Sequence, residues 1–279
     1  MSHVFLVKTA PRVAPGASMQ RIWSGAVLGA AVAGSVWMLG TLPLLAIAEL
    51  VVAAGFVEYA GLAERVGSRV ARIPGAAAAM LTCAAMVSPG QPVAVVLMAA
   101  VLAIGTIVLG SGRGGDEGLH DLAASLLPAL YLGLPLGALV ATHAEAGRAA
   151  TLALLATVVA SDTAQYYTGR ALGRRLLAPA VSPKKTVEGA LGGIVFGTAT
   201  LVVAGAWGLP GAGWASRAAL GLVIVSLGIV GDLFESFLKR GAGVKDSSSV
   251  IPGHGGVLDR IDALLFAAPA FYLFVKYGL

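Results

Sequence analysis

Residues 92–109 read PVAVVLMAAVLAIGTIVL, eighteen positions without a charged side chain. As an α-helix this stretch rises about 27 Å at 1.5 Å per residue, close to the ~30 Å hydrocarbon thickness of a bilayer. Lipid offers no water to satisfy backbone N–H and C=O groups, so a segment crossing it must bond its own backbone, as a helix does. Working outward, further apolar stretches occur at 22–39, 41–58, 73–87, 119–142, 149–167, 187–207, 218–238 and 261–277. Breakers separate them: Gly40 and Pro43, Ser88-Pro89-Gly90, the glycine-rich segment around Arg113, and Gly208-Leu209-Pro210-Gly211. The expected fold class is all-α, a polytopic transmembrane helical bundle of about nine spans.

Composition agrees. The chain is 57% apolar and 12% charged with a mean hydropathy of +0.86, whereas an ordinary soluble domain carries about 25% charged residues. One cysteine, Cys83, excludes a disulfide framework within the chain. Lys8, Arg12 and Arg21 precede an apolar stretch in the manner of a secretory signal, but later spans hold the chain in the membrane, and the stretch is read as a retained first span.

Nine spans with an interior N-terminus place Lys8, Arg12, Arg21, Arg65, Arg69, Arg72, Arg113, Arg170, Arg174, Arg175, Lys184, Lys185, Lys239, Arg240, Lys245 and Arg260 on one side. Arg148, Arg217 and Lys276 fall on the other. The excess of Lys and Arg marks the first side as cytoplasmic. The two long charged loops, 168–186 and 239–260, then face the cytosol, in an integral protein of the cell (inner or plasma) membrane.

Chemistry is expected in those loops. Residues 236–262, SFLKRGAGVKDSSSVIPGHGGVLDRID, set Lys239, Arg240, Lys245, Asp246, Asp259, Arg260 and Asp262 between two spans, and charges there need partners or a wet, ligand-filled site. Residues 161–189 begin inside a span with Asp162 and continue to Ser182-Pro183-Lys184-Lys185-Thr186. Ser followed by Pro predicts an N-cap and a first helical residue, with both lysines in the first turn. An anion docked there would explain cations at a position the helix dipole disfavours; two lysines anchoring to lipid headgroups fit the spacing equally well.

Asp232 and Asp259 lie near the same ends of consecutive antiparallel spans, and two close carboxylates suit a hard cation such as Mg²⁺. Simple ion pairs, Asp259 with Arg260 or Asp246 with Lys245, are the plainer alternative. His254 sits in a Pro-Gly-His-Gly-Gly turn, where Gly255 and Gly256 permit close approach of peptide N–H groups to a ligand. Zinc is not expected, and no Walker A, Rossmann, HExxH or nucleophile-elbow pattern occurs. Glu49, mid-span, invites a functional role or a bond to a neighbouring helix. Arg65, Arg69 and Arg72 form a basic interfacial face after Glu58, and His120, Asp121, His143 and Glu145 receive no role.

These two segments resemble the phosphatidate cytidylyltransferases, also called CDP-diacylglycerol synthases. The resemblance rests on Ser236, Leu238, Lys239, Arg240, Lys245, Asp246, His254, Gly255, Gly256, Asp259, Arg260 and Asp262, and upstream on Ser161 to Thr163, Tyr166, Gly169, Arg170, Ser182 to Thr186, Glu188 and Gly189. Gln165 stands where a small residue is usual and Arg174 where Lys is frequent. The match covers about the C-terminal 120 residues; the first 150 agree in being membrane spans.

The resemblance implies transfer of the cytidylyl group of CTP to phosphatidate, with Mg²⁺ and room for a second cation, in a homodimer that meets membrane lipid and no nucleic acid. It assigns catalysis to Asp232, Asp246, Asp259, Lys245 and Arg260, and the metal to Asp232 and Asp259. Substrate contacts fall to Ser182, Lys184, Lys185, Thr186, Lys239, Arg240, His254, Gly255 and Gly256, with Asp162 and Asp262 as further candidates. Residues 1–279 are expected to form a single integral membrane domain, with N-terminal spans in 1–150 and catalytic spans and cytoplasmic loops in 151–279. Two other readings are a CTP-dependent polyprenol or lipid kinase with a related membrane core, and an ion-coupled transporter, against which stand the clustering of basic residues in two same-side loops and the lack of a repeated pair of broken helices.

Overall fold

The computed structural model describes residues 27, 29–88, 90, 92–248 and 255–278. Lys8, Arg12, Arg21 and His254 therefore lie outside the described residues. The helices are α1 (Gly29–Met38), α2 (Thr41–Arg65), α3 (Arg72–Val87), α4 (Val93–Gly110), α5 (Gly115–Pro128), α6 (Leu134–Leu172), α7 (Val187–Gly208), α8 (Trp214–Gly241) and α9 (Leu258–Tyr277). A π-helical turn, Ala129–Gly133, joins α5 to α6, and one small hairpin, β1 (Leu176–Ala178) with β2 (Ser182–Thr186), separates α6 from α7.

Lipid as the outer solvent explains which side chains face out. On α4 only Ala100 and Ile104 are buried, while Met98, Val101, Leu102 and Leu109 are exposed. Apolar side chains on the outer surface are expected where the surroundings are hydrocarbon. The chain is an all-α integral membrane protein.

Among the described residues, five helical runs are long and apolar enough to cross a membrane: Thr41–Arg65, Val93–Gly110, Gly115–Leu172, Val187–Gly208 and Trp214–Gly241. The difference from about nine has identifiable causes. Gly115–Leu172 runs through two expected spans, and Gly147, at φ 77° and ψ −178°, interrupts it with a backbone conformation that glycine tolerates. Helices α1 and α3 are short, and α9 carries Asp259, Arg260, Asp262 and Lys276.

Among the described residues, four apolar clusters hold the bundle, and two of them are large. Val52, Phe56, Tyr59, Cys83, Leu132 and Leu258 pack in one; Leu154, Leu201, Leu209, Ile224 and Phe271 pack in the other. Helix α7 lies close against the second half of α6 because small residues repeat on its contact face. A Cβ added at Gly193 would sit 2.4 Å from Gln165 Cγ, and one at Gly208 would sit 2.7 Å from the Ala149 carbonyl.

The polar contacts divide between two ends of the molecule. At one, Arg148 bonds the Trp37 carbonyl at 3.1 Å, His143 meets Val36, and Tyr272 and Lys276 meet Glu145. At the other, Arg72 pairs with Glu64, the Arg69 N–H donates to Asp121, and Arg113 pairs with Glu117 and Asp121.

Candidate active site

The hairpin corrects one expectation. Ser182-Pro183 does not open a helix and Lys184 and Lys185 do not occupy a first turn; Ser182–Thr186 is strand β2, paired antiparallel with β1. The reason lies at Thr186, whose backbone is extended and whose Oγ1 accepts the Gly189 N–H at 3.1 Å, making it the N-cap of α7. Glu188 follows in the first turn, where a carboxylate suits the helix dipole, and its Oε2 accepts the N–H groups of Arg174 and Arg175 at 3.0 and 3.2 Å. A start at Ser182 would instead have put two ammonium groups at the positive end of the dipole. Pro183 is accommodated because a two-stranded sheet has only edge strands.

The hairpin forms one wall of a polar cavity of about 510 Å³. Helix α6 contributes Asp162, Gln165, Tyr166, Gly169 and Arg170; the hairpin contributes Leu177, Ser182, Lys184, Lys185 and Thr186. Gly189 and Ala190 of α7, Asp232 of α8, and Asp259 and Asp262 of α9 complete it. A larger hollow near Glu145 and Lys276, about 1040 Å³, is mostly apolar and lies at the opposite helix ends.

Acidic side chains cluster inside the polar cavity. The Lys185 ammonium pairs with Asp232, while Asp162 and Asp262 both lie within the field of Asp232 and of Lys185. Gln165 Nε2 donates to Asp162 at 3.0 Å, and the Ala263 N–H donates to Asp262 at 2.7 Å. Around Asp232, three carboxylates thus cluster with the Lys185 ammonium as the cation in contact, an arrangement that suits a further cation. Lys184 stays exposed beside them.

Asp259 is held differently. Its Oδ1 meets the Lys239 ammonium, which also pairs with Glu235, a side chain only 1% exposed. Its Oδ2 accepts from Ser247 Oγ at 2.9 Å and from the Gly256 N–H at 2.8 Å. The Gly256 N–H is therefore engaged by protein, and Gly255 adopts φ +76°. Arg240 donates to the carbonyls of Val181 and Val244, tying the hairpin to the end of α8.

Glu58 is the residue that the sequence motifs do not announce. It lies near the end of α2, is 6% exposed, and accepts Ser247 Oγ at 2.9 Å, Ser248 Oγ at 2.6 Å, and the N–H groups of Val257 and Leu258 at 2.8 and 2.9 Å. A carboxylate from the first third of the chain thereby ties Ser247 and Ser248 to the start of α9. A Cβ at Gly256 would meet Glu58 Oε2 at 2.4 Å, so glycine there is a packing requirement. Arg170 and Tyr166, part of the motif but without a stated role, line the cavity and bond each other at 3.2 Å.

Some expected site residues are not brought in. Lys245, Asp246 and Arg260 are exposed and do not line the cavity. Among the described residues no group of three or more His, Cys, Asp or Glu side chains is arranged to hold a metal ion as it stands.

Known proteins match this chain along most of its length. A phosphatidate cytidylyltransferase of Helicobacter pylori (strain J99) is 37% identical over 188 residues, 67% of each chain. One of Synechocystis is 37% identical over 283 residues, 92% of this chain and 96% of the relative. The uncharacterised protein YnbB of Escherichia coli is 38% identical over 183 residues, 63% of this chain and 60% of that one. The model of the cytidylyltransferase family matches residues 19–278, which takes in every wall of the polar cavity, and the chain belongs to that family.

Proposed function

We propose that this protein transfers the cytidylyl group of CTP to phosphatidate, giving CDP-diacylglycerol and pyrophosphate. The observation that carries the reading is the cavity in which carboxylates from α6, α8 and α9 face a basic hairpin. Both substrates are polyanions, so the task is to neutralise charge and align an oxygen of the lipid phosphate with the α-phosphorus of CTP. One P–O bond forms to the lipid oxygen as the bond between the α- and β-phosphates breaks, and pyrophosphate leaves. The lipid phosphate is already ionised at neutral pH, so no general base and no covalent intermediate on the protein is needed.

Arg170 from α6 and Lys184 and Lys185 from the hairpin supply positive charge, with Ser182 and Thr186 as hydroxyl contacts. Lys239 and Arg240 act by holding Asp259 and the hairpin in place. Lys245, Asp246, Arg260, Gly255 and His254 are assigned to the site by the motif. Asp232 and Asp259, both lining the cavity, are the residues that would hold Mg²⁺, with Asp162 and Asp262 adding to the field, and a second cation is compatible with the same set. When bound, the ion offsets phosphate charge and favours departure of pyrophosphate.

The same reading takes α1 to α9, with the 115–172 run broken at Gly147, as nine spans with the cavity facing the cytoplasm of the cell (inner or plasma) membrane. Family resemblance adds a homodimer. The decisive assay incubates purified protein with phosphatidate, Mg²⁺ and CTP labelled at either the α- or the γ-phosphate. Label should enter lipid from the α position. Entry from the γ position would mean a lipid kinase, and cation-driven flux in proteoliposomes without CTP would mean a transporter; either overturns the reading.

A further inference from the structure

An apolar groove of about 330 Å³ lies between α5, the π turn and the start of α6 on one side and α8 and α9 on the other. Its lining includes Leu127, Leu130, Leu134, Phe234, Phe266 and Pro269. The groove and the polar cavity are neighbours on the same helices: Phe234 follows Asp232 by two residues on α8, and Phe266 follows Asp262 by four on α9. Past Leu134 and Pro269 the groove continues into the larger hollow that ends at Lys276. From Phe266 to Lys276 that path runs about 15 Å along α9.

Tyr131 joins the groove to the cavity. Its ring meets Phe234 edge-on at 5.2 Å and Phe266 at 6.5 Å, while its hydroxyl lies in the field of Glu235, Asp262 and Asp232. The residue is 5% exposed, and the hydroxyl has no hydrogen-bond partner among the described residues. A buried hydroxyl left unpaired is destabilising. It is also set in the π-helical turn Ala129–Gly133, a local geometry that recurs at functional positions.

We propose that this groove holds an acyl chain of the diacyl lipid substrate and that the Tyr131 hydroxyl donates a hydrogen bond to an ester oxygen of the lipid glycerol; this rests on the cytidylyl-transfer reading. A lipid whose phosphate reaches the carboxylate cavity must leave its tails in apolar surroundings, and this groove flanks Asp232 and Asp262. The apolar hollow between Trp37 and Trp207 lies at the other helix ends. Tyr131 lines the apolar groove and not the cavity wall that carries Lys184 and Lys185, so a neutral ester oxygen, and not the phosphate, is the acceptor that fits.

Two measurements on the full-length protein decide it. A phosphatidate carrying a photoreactive group in its acyl chain, irradiated with wild-type protein, should label peptides containing Leu127 to Leu134 or Leu265 to Pro269, and unlabelled phosphatidate should compete. Label confined to other peptides overturns the groove. In parallel, Leu130→Trp should raise KM for long-chain phosphatidate about fivefold or more by overfilling the groove, and Tyr131→Phe should raise it about threefold. KM for CTP should stay unchanged in both. Leu102→Trp, on the outer face of α4, serves as the control with wild-type kinetics. Active wild type with unaltered phosphatidate KM in both groove variants sinks this proposal alone, whereas wild type that incorporates no α-label sinks the reading beneath it.

Discussion

At the scale of single residues, Glu58 shows how far the site depends on side chains that take no part in the chemistry. Each of its two oxygens accepts from one serine hydroxyl and one backbone N–H, so an amide N–H₂ in place of either oxygen would face a backbone donor. Glu58→Gln should therefore destabilise the loop before α9 by about 1–3 kcal/mol. Turnover should fall about tenfold while the protein still extracts and migrates as wild type. A variant with wild-type turnover and melting temperature would show that the loop is positioned by other means. Nothing local in the sequence points to this role: the partners lie 189 to 200 residues further along the chain, and a carboxylate at the end of a span is ordinary. The aspartates were legible for the opposite reason, since Asp162 and Asp232 interrupt apolar runs and Asp259 and Asp262 stand where a span begins, places where a charge is costly. Which cation each would meet was not legible. Lys185 reaches Asp232 and Lys239 reaches Asp259 only through the packing of α6, α7, α8 and α9.

At the scale of elements, long apolar helices announce themselves by length, and α2, α4, α7 and α8 lie close to their expected positions. The hairpin does not. Ser182-Pro183 carries a helix-start signal, and the signal that wins, Thr186 with Glu188 two residues later, differs from it only in the charge of the residues that follow. Strand β2 also needs its partner β1, three residues long, which has no pattern of its own. If the hairpin is the phosphate-binding wall, its anchoring at Thr186 governs affinity. Thr186→Ala removes the cap at a cost of about 1 kcal/mol and should raise KM for CTP about fivefold, whereas Thr186→Ser keeps an accepting hydroxyl and should restore it. Steady-state kinetics of the two variants separate the cases, and an unchanged KM in the alanine variant would remove the hairpin from nucleotide binding.

For the whole molecule, two independent partitions of the chain coincide. In the nine-span reading, basic residues divide between loops on alternate sides, with Arg148, Arg217 and Lys276 as the minority. The folded chain gathers Trp37, Glu145, Arg148 and Lys276 at one end, and Glu58, Arg72, Arg113, the hairpin and the 239–259 segment at the other. Charge bias follows from insertion and the end-to-end contacts follow from packing, so their agreement favours alternating spans with the polar cavity on the basic side. Thiol labelling tests this directly, because Cys83, the one native cysteine, is fully buried and silent toward a membrane-impermeant maleimide. Ser111 and Gly211 are both exposed and fall on opposite sides in the nine-span arrangement. Ser111→Cys should label only when the cytoplasmic face of the membrane is presented to the reagent, and Gly211→Cys only when the other face is. Labelling of both from the same face would place an even number of crossings between residues 111 and 211, and the cavity could not then be assigned to the cytoplasm by charge.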